Sequence, residues 1–178
     1  MNTGTADTVV IRELPGLHTI DLRVAPGSLS HAAIAEALGI DLAGKNGKTG
    51  KVEIPGGGEA YTLCLAPDWW LLVGFREVEQ QLAALRLNDN YHFSVVDVSV
   101  QRTTFELEGP NAREVFAHLW EQDLREKTFP VGSVSQGLMA KAPVIVFHIA
   151  PNRYRVMVRS SFAGHLWKAV GDAGEEWL

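Results

Sequence analysis

From residue 60 onward the hydrophobic pattern of this chain changes period in a regular order, and that order limits what the chain can fold into. AYTLCLAP (60–67) and WWLLVGF (69–75) read as strands parted by a turn at Pro67–Asp68. REVEQQLAALRL (76–87) follows, with Val78, Leu82 and Leu85 at one-face helical spacing. YHFSVVDVS (91–99) and TTFELEG (103–109) read as strands. In the second, Thr103, Phe105 and Leu107 face one way and Thr104, Glu106 and Glu108 the other. GPNAREVFAHLW (109–120) reads as a helix with Pro110 at its first position, where a missing N–H does no harm, and a stripe of Ala112, Val115, Phe116 and Leu119. VSQGLMA (134–140), KAPVIVFHIA (141–150) and YRVMVRS (154–160) read as strands. SSFAGHLWKAV (160–170) reads as a last helix, capped by Ser160 or Ser161 and closed by Gly171.

The order ββαββαβββα contains one split βαββαβ unit and most of a second. Strands grouped around helices in this way predict an α+β fold, an antiparallel or mixed sheet with helices on one face. The N-terminal part, 8–59, is less regular. TVVIREL (8–14) and HTIDLRV (18–24) read as short strands around the turn signal Pro15–Gly16. SLSHAAIAEALG (28–39) reads as a helix, with Ser28 or Ser30 as its cap and Gly39 as its end, and KVEIP (51–55) as a short strand. The strand VIVFHI is apolar on both faces: Val144 and Val146 on one, Ile145, Phe147 and Ile149 on the other. Such a strand needs cover on both sides, from the chain's own second half or from a partner.

A length of 178 residues suits one domain, or two small ones sharing a core. The net charge of -5, with no basic block, argues against a nucleic-acid partner. No apolar stretch approaches the ~20 residues of a membrane-spanning helix. Nor does the N-terminus show a signal pattern, so a cytoplasmic protein is the expectation. Cys64, the single cysteine, sits in an apolar run and reads as an inert buried thiol.

Chemistry-bearing motifs are scarce. GKNGKTG (44–50) and PGGGE (55–59) lack the spacing of a phosphate loop and read as plain loops. The six histidines show no zinc-pair spacing; His148 is the one expected to be buried. Ser133 and Ser135 in GSVSQG do not form a nucleophile elbow. Asp97, Ser99 and Arg102 form either a polar cluster or, on the favoured reading, a local turn. In NRYRVMVRS, Arg153, Arg155 and Arg159 alternate with Tyr154, Val156 and Val158. That row could hold carboxylates or phosphates, or could be a solvated face paired with Glu106 and Glu108. Adjacent Trp69 and Trp70 must point to opposite faces of their strand, so one fills a core and the other is left to meet something else.

LAPDWWLL, VVDVSVQRTTFELEGPNAREVFAHL, DLREKTFPVGSVSQGLMAKAPVIVFHI and RYRVMVRSSFAGHLWKAV together resemble the gamma subunit family of heterotetrameric sarcosine oxidase. The matching positions include Pro67, Asp68, Trp70, Asp97, Ser99, Arg102, Gly109, Pro110, Asp123, Phe129, Pro130, Gly132, Gln136, Lys141, Ser161, Phe162 and Trp167. Trp69 stands where the family pattern has an acidic residue, Ala66 where it has glycine, and Gly137 where it has threonine. The resemblance is best over 60–171 and is taken to make 1–178 a single gamma-like domain. It implies two βαββαβ (ferredoxin-like) units sharing a core, like the folate-binding domain of aminomethyltransferases. It also implies a non-catalytic subunit that binds no cofactor or metal itself. FAD, FMN, NAD and tetrahydrofolate would sit on alpha, beta and delta partner subunits, in a complex that oxidatively demethylates sarcosine or a related N-methyl amine. A stand-alone folate-binding module and a small-ligand regulatory domain are the alternatives. Trp69, Trp70, Arg153, Arg155 and Arg159 are the residues expected at the partner interface, burial of an indole being worth a few kcal/mol at ~25 cal/mol per Å².

Overall fold

In a computed structural model of the chain, residues 2–3, 8–42, 47–53 and 59–176 are described. They run β1 (Asn2–Thr3), β2 (Val10–Leu14), β3 (Thr19–Val24), α1 (Leu29–Leu38), β4 (Thr49–Glu53), β5 (Glu59–Ala66), β6 (Trp69–Val73), α2 (Val78–Gln81), α3 (Ala83–Arg86), β7 (Phe93–Asp97), β8 (Arg102–Glu108), α4 (Ala112–Ala117), β9 (Val134–Met139), β10 (Ala142–Ala150), β11 (Arg153–Arg159) and α5 (Ala163–Gly174). Residues 43–46 and 54–58, which carry most of the two glycine loops and the end of KVEIP, lie outside the described residues.

The fold is α+β, with two antiparallel sheets in two compact units. One unit is residues 17–99; the other joins 1–16 to 100–178. The boundaries therefore fall at 16/17 and 99/100, away from residue 60, because β5 and β6 continue a sheet that begins with β3. The smaller sheet has the order β4-β5-β6-β3-β7 and the larger β1-β2-β8-β11-β10-β9. One connection pattern builds both. A strand leads through a helix to an edge strand, then a hairpin, then helix again: β3-α1-β4-β5-β6-α2-α3 in one, β8-α4-β9-β10-β11-α5 in the other. The place beside the first strand is taken by β7 in the smaller sheet. In the larger it is taken by β2, supplied from the N-terminus. Hence the two strands around Pro15–Gly16 enter different sheets.

Several local expectations hold. Ser28 caps α1, its Oγ accepting from the His31 N–H at 3.2 Å, and Gly39 ends that helix at φ 62. Others are corrected. The helix read over 76–87 is two four-residue pieces that break at Leu82, with Glu77 in the left-handed region at φ 58. Val78 and Leu82 are still buried. Pro110 precedes α4, and Asn111 holds its N-cap position. Gly171 does not close the last helix, which runs on to Gly174. Ser160 does not cap it either; its Oγ donates to the Val100 carbonyl from a 3-10 turn, Ser160–Phe162.

Each unit has a hydrophobic cluster on the helix-bearing face of its sheet. Phe105, Leu107, Val144, Val146, Val156 and Val158 meet Val115 and Phe116 of α4 and Leu166 and Val170 of α5. Leu22, Trp70 and Leu72 meet Ile34 of α1 and Val78 and Leu82. Ile145, Phe147 and Met157, on the opposite face of the larger sheet, are also buried. β10 thus carries buried side chains on both of its faces. Among the described residues no helix is long and apolar enough to cross a membrane.

Candidate functional site

The Trp pair separates as alternation demands. Trp70 lies opposite Leu22 and Cys64, is 2% exposed, and has the His31 ring at 5.5 Å. It belongs to the core, which removes it from any interface. Trp69 projects from the other face and is half-buried. Its Nε1–H donates to Asp21 Oδ2 at 2.8 Å, and the Arg23 guanidinium lies 4.1 Å from the ring centroid. Arg23 also reaches Asp21 at 3.4 Å. A cation over an indole at such a site contributes about 0.5–1 kcal/mol. The effect is to fix Trp69 in one orientation, with its neighbours already desolvated in part. A held aromatic loses little rotamer freedom on being covered.

The arginine row has a different fate. Register places Arg153 opposite Glu108, Arg155 opposite Glu106 and Arg159 opposite Arg102. The pairing with glutamates was legible, but the face is not solvated: the Glu106 side chain is 0% exposed and that of Arg155 7%. Arg155 Nε donates to Glu106 Oε2 at 2.7 Å, and Arg153 Nη2 lies 3.0 Å from the same oxygen. A third guanidinium, Arg12 of β2, donates through Nε to Glu106 Oε1 at 2.8 Å and also bridges to Glu108. Burial pushes the Glu106 carboxyl up; the hydrogen bonds from Arg155 and Arg153 and the charges of its arginines outweigh this and hold it below the ordinary carboxylate range. For Arg12, partial burial opposes the charge, and the bonds to Glu106 and Glu108 raise it on balance. The cluster stitches β2, β8 and β11 together through one carboxylate. Arg153 and Arg155 are committed to it, so of the row only Arg159 stands exposed. Arg12 was missed because its partner is 94 residues away.

The remaining polar candidates are structural. Asp97 accepts from the Ser99 N–H at 2.8 Å, which is the local turn, while Ser99 Oγ accepts from the Thr19 N–H of β3 at 3.0 Å, a contact between residues far apart in sequence. His148 is 1% exposed, lies 2.9 Å through Nδ1 from the Phe129 carbonyl, and stacks on Tyr154 at 4.2 Å. Cys64 is buried, and burial pushes its thiol up. Among the described residues, no group of three or more His, Cys, Asp or Glu side chains could hold a metal ion.

The family model described as sarcosine oxidase, gamma subunit family, matches residues 25–176. The chain belongs to this gamma subunit family. A sarcosine oxidase subunit gamma from Arthrobacter sp. is 31% identical over 177 residues, covering 97% of this chain and 83% of that one. Another, from Corynebacterium sp. strain P-1, is 30% identical over 174 residues, with the same coverage. A solved structure of heterotetrameric sarcosine oxidase from Corynebacterium sp. U-96, in complex with pyrrole 2-carboxylate, superposes with a TM-score of 0.86 at 28% identity, covering 99% of this chain and 88% of that chain. Aminomethyltransferase T of the glycine cleavage system from Bartonella henselae shares the fold alone, at TM-score 0.71 and 14% identity over 94% of this chain and 46% of that one.

Two departures of this gamma chain from the family pattern have visible local reasons. Trp69, in place of an acidic residue, is accommodated by Asp21 and Arg23. Gly137, in place of threonine, faces the Trp120 indole so closely that a Cβ would lie 2.8 Å from its Cη2.

Proposed function

We propose that this gamma chain is a non-catalytic docking subunit of a heterotetrameric sarcosine oxidase-type complex. The observation that carries the reading is the superposition on heterotetrameric sarcosine oxidase over 99% of the chain. In this reading alpha, beta and delta chains are its companions, and they hold FAD, FMN, NAD and tetrahydrofolate. The assembly oxidatively demethylates sarcosine or a related N-methyl amine in the cytoplasm and passes the one-carbon unit to tetrahydrofolate. The whole chain acts as one module, each unit a ferredoxin-like βαββαβ element with added edge strands, β4 in the smaller sheet and β1 and β9 in the larger. The strand orders β5-β6-β3-β7 and β10-β11-β8-β2 support that description. Trp69 and Arg159 are the interface residues this reading retains from the expected set. Trp69 is pinned and half-buried, and Arg159 is exposed.

The test is co-expression of a tagged chain with the three companion chains encoded by its source. A flavin-coloured complex of four chains that oxidises sarcosine is the expected result. A tagged chain that elutes alone, with the companions assembling and turning over without it, overturns the reading. Tetrahydrofolate bound by the isolated chain at micromolar concentration would favour the stand-alone folate module instead.

A further inference from the structure

The far end of the β8–β11 ladder departs from the charge pairing seen along the rest of it. Arg153 and Arg155 face glutamates, whereas Arg159 faces Arg102. Like charges directly opposed weaken an antiparallel pair. Arg102 is half-buried and has contacts of its own. Arg159 is exposed and forms no ion pair with a described residue.

Two one-turn 3-10 helices lie at the same end. Ser99–Gln101 leads into β8 and Ser160–Phe162 leaves β11. Ser160 Oγ ties them by donating to the Val100 carbonyl at 2.9 Å. Val100 is 89% exposed and Phe162 40%. No Asp or Glu occurs in 98–105 or in 153–171, although the chain as a whole carries a net charge of -5. This corner therefore combines exposed apolar side chains with one exposed guanidinium, that of Arg159, which no described carboxylate pairs, on an acidic protein. Phe and Arg are enriched at protein interfaces, whose centres are otherwise poor in charge.

We propose that Val100, Phe162 and Arg159 form the docking surface for a companion chain of the complex, which presents an apolar side chain flanked by carboxylates. Val100 and Phe162 supply the area that loses water, and Arg159 supplies a planar fork for a carboxylate. Facing Arg102 then costs less in the complex than in the free chain. The inference rests on the subunit reading above.

The experiment uses the co-expressed complex, with Arg159→Glu and Val100→Asp made separately in the gamma chain. Both side chains are exposed, so the isolated Val100→Asp variant should melt close to the parent, and Arg159→Glu, which turns the like-charge pair with Arg102 into an opposite one, should melt no lower than the parent. In the complex each should weaken assembly by about tenfold or more, measured by dilution and quantitative co-elution. Weakening of the parent complex by added salt should be reduced in the Arg159→Glu variant. A parent that co-elutes, with both variants co-eluting equally well, overturns this inference and leaves the subunit reading intact. A parent that never co-elutes overturns the subunit reading and this inference with it. An isolated chain that sediments as a dimer, and becomes a monomer in either variant, also overturns it by making the occupant a second copy.

Discussion

Replacing Glu106 by glutamine tests the buried ion cluster with little change of shape. The carboxylate is fully buried and is approached by Arg155, Arg153 and Arg12, whose side chains are 7%, 24% and 36% exposed. Breaking a buried ion pair from one side costs about 3–5 kcal/mol, because a charge is left without compensation. Here only Arg155 is nearly dry; water screens Arg153 and Arg12 in part, and Glu108 still faces both. The lower end, about 3 kcal/mol, is therefore expected. In a chain of this size each kcal/mol moves the melting temperature by about 2–4 °C, so Glu106→Gln should melt roughly 6–12 °C lower at pH 7. Adding Arg155→Met should recover a large part of the loss, since it removes the stranded charge. The pH dependence has a definite sign. The folded-state carboxyl is held below its ordinary value of 4.5. Its contribution is complete above that pH and is lost as pH falls through the folded value. The parent should thus lose stability more steeply than the variant on acidification below 4.5, and the two curves should converge. The measurement is thermal unfolding followed by circular dichroism from pH 7 to 3. A fall of under ~2 °C at pH 7, or curves that stay parallel in acid, would refute the reasoning.

Other perturbations separate core from surface. Trp70→Ala should cost about 3–5 kcal/mol as a core truncation, whereas Trp69→Ala should cost about 1 kcal/mol, the cation–π and hydrogen-bond share; equal losses in denaturant melts would show the indoles to be equivalent. Gly137→Thr should destabilise by about 1–3 kcal/mol through overpacking against Trp120, and adding Trp120→Phe should relieve part of it. Cys64 should react with an aromatic disulfide reagent only at the global unfolding rate, since its thiol is buried and pushed up; fast labelling of the native chain would contradict its placement.

Most of the strands, and the faces of those that alternate, were legible because alternation is a local property. TTFELEG and NRYRVMVRS sorted themselves into an apolar row and a charged row, and the Trp pair was divided between two faces. What was not legible depended on residues far apart. β2 and β3 read as neighbours across Pro15–Gly16, yet β2 completes a sheet whose strands, β1 apart, otherwise begin at residue 102. Without that pairing Arg12 had no visible partner, and the charged row looked solvated. A single strand's pattern assigns charge to water by default. Only the stacking of three strands supplies Glu106 with enough guanidinium to make its burial tolerable. The helix ends were misread for a related reason. Gly171 is a competent terminator, but Val170 and Gly174 are buried on one side of α5, and packing of that face outweighs the modest helix cost of one glycine, about 1 kcal/mol.

The same dependence on register divides labour along β11. Three arginines at alternate or near-alternate positions look equivalent in sequence, and each could hold an external carboxylate. Their partners on β8 make them unequal. Glu108 and Glu106 neutralise the first two internally, which makes them part of what holds the sheet together. The third faces Arg102, so the ladder itself gives it no opposite charge, and its exposure leaves it available to a partner. A substitution at Arg155 should therefore register first as lost stability, and one at Arg159 as lost assembly with no loss of stability. If Arg159→Glu instead lowers the melting temperature as much as Arg155→Met does, the two guanidiniums share one structural role, and the register argument fails at its root.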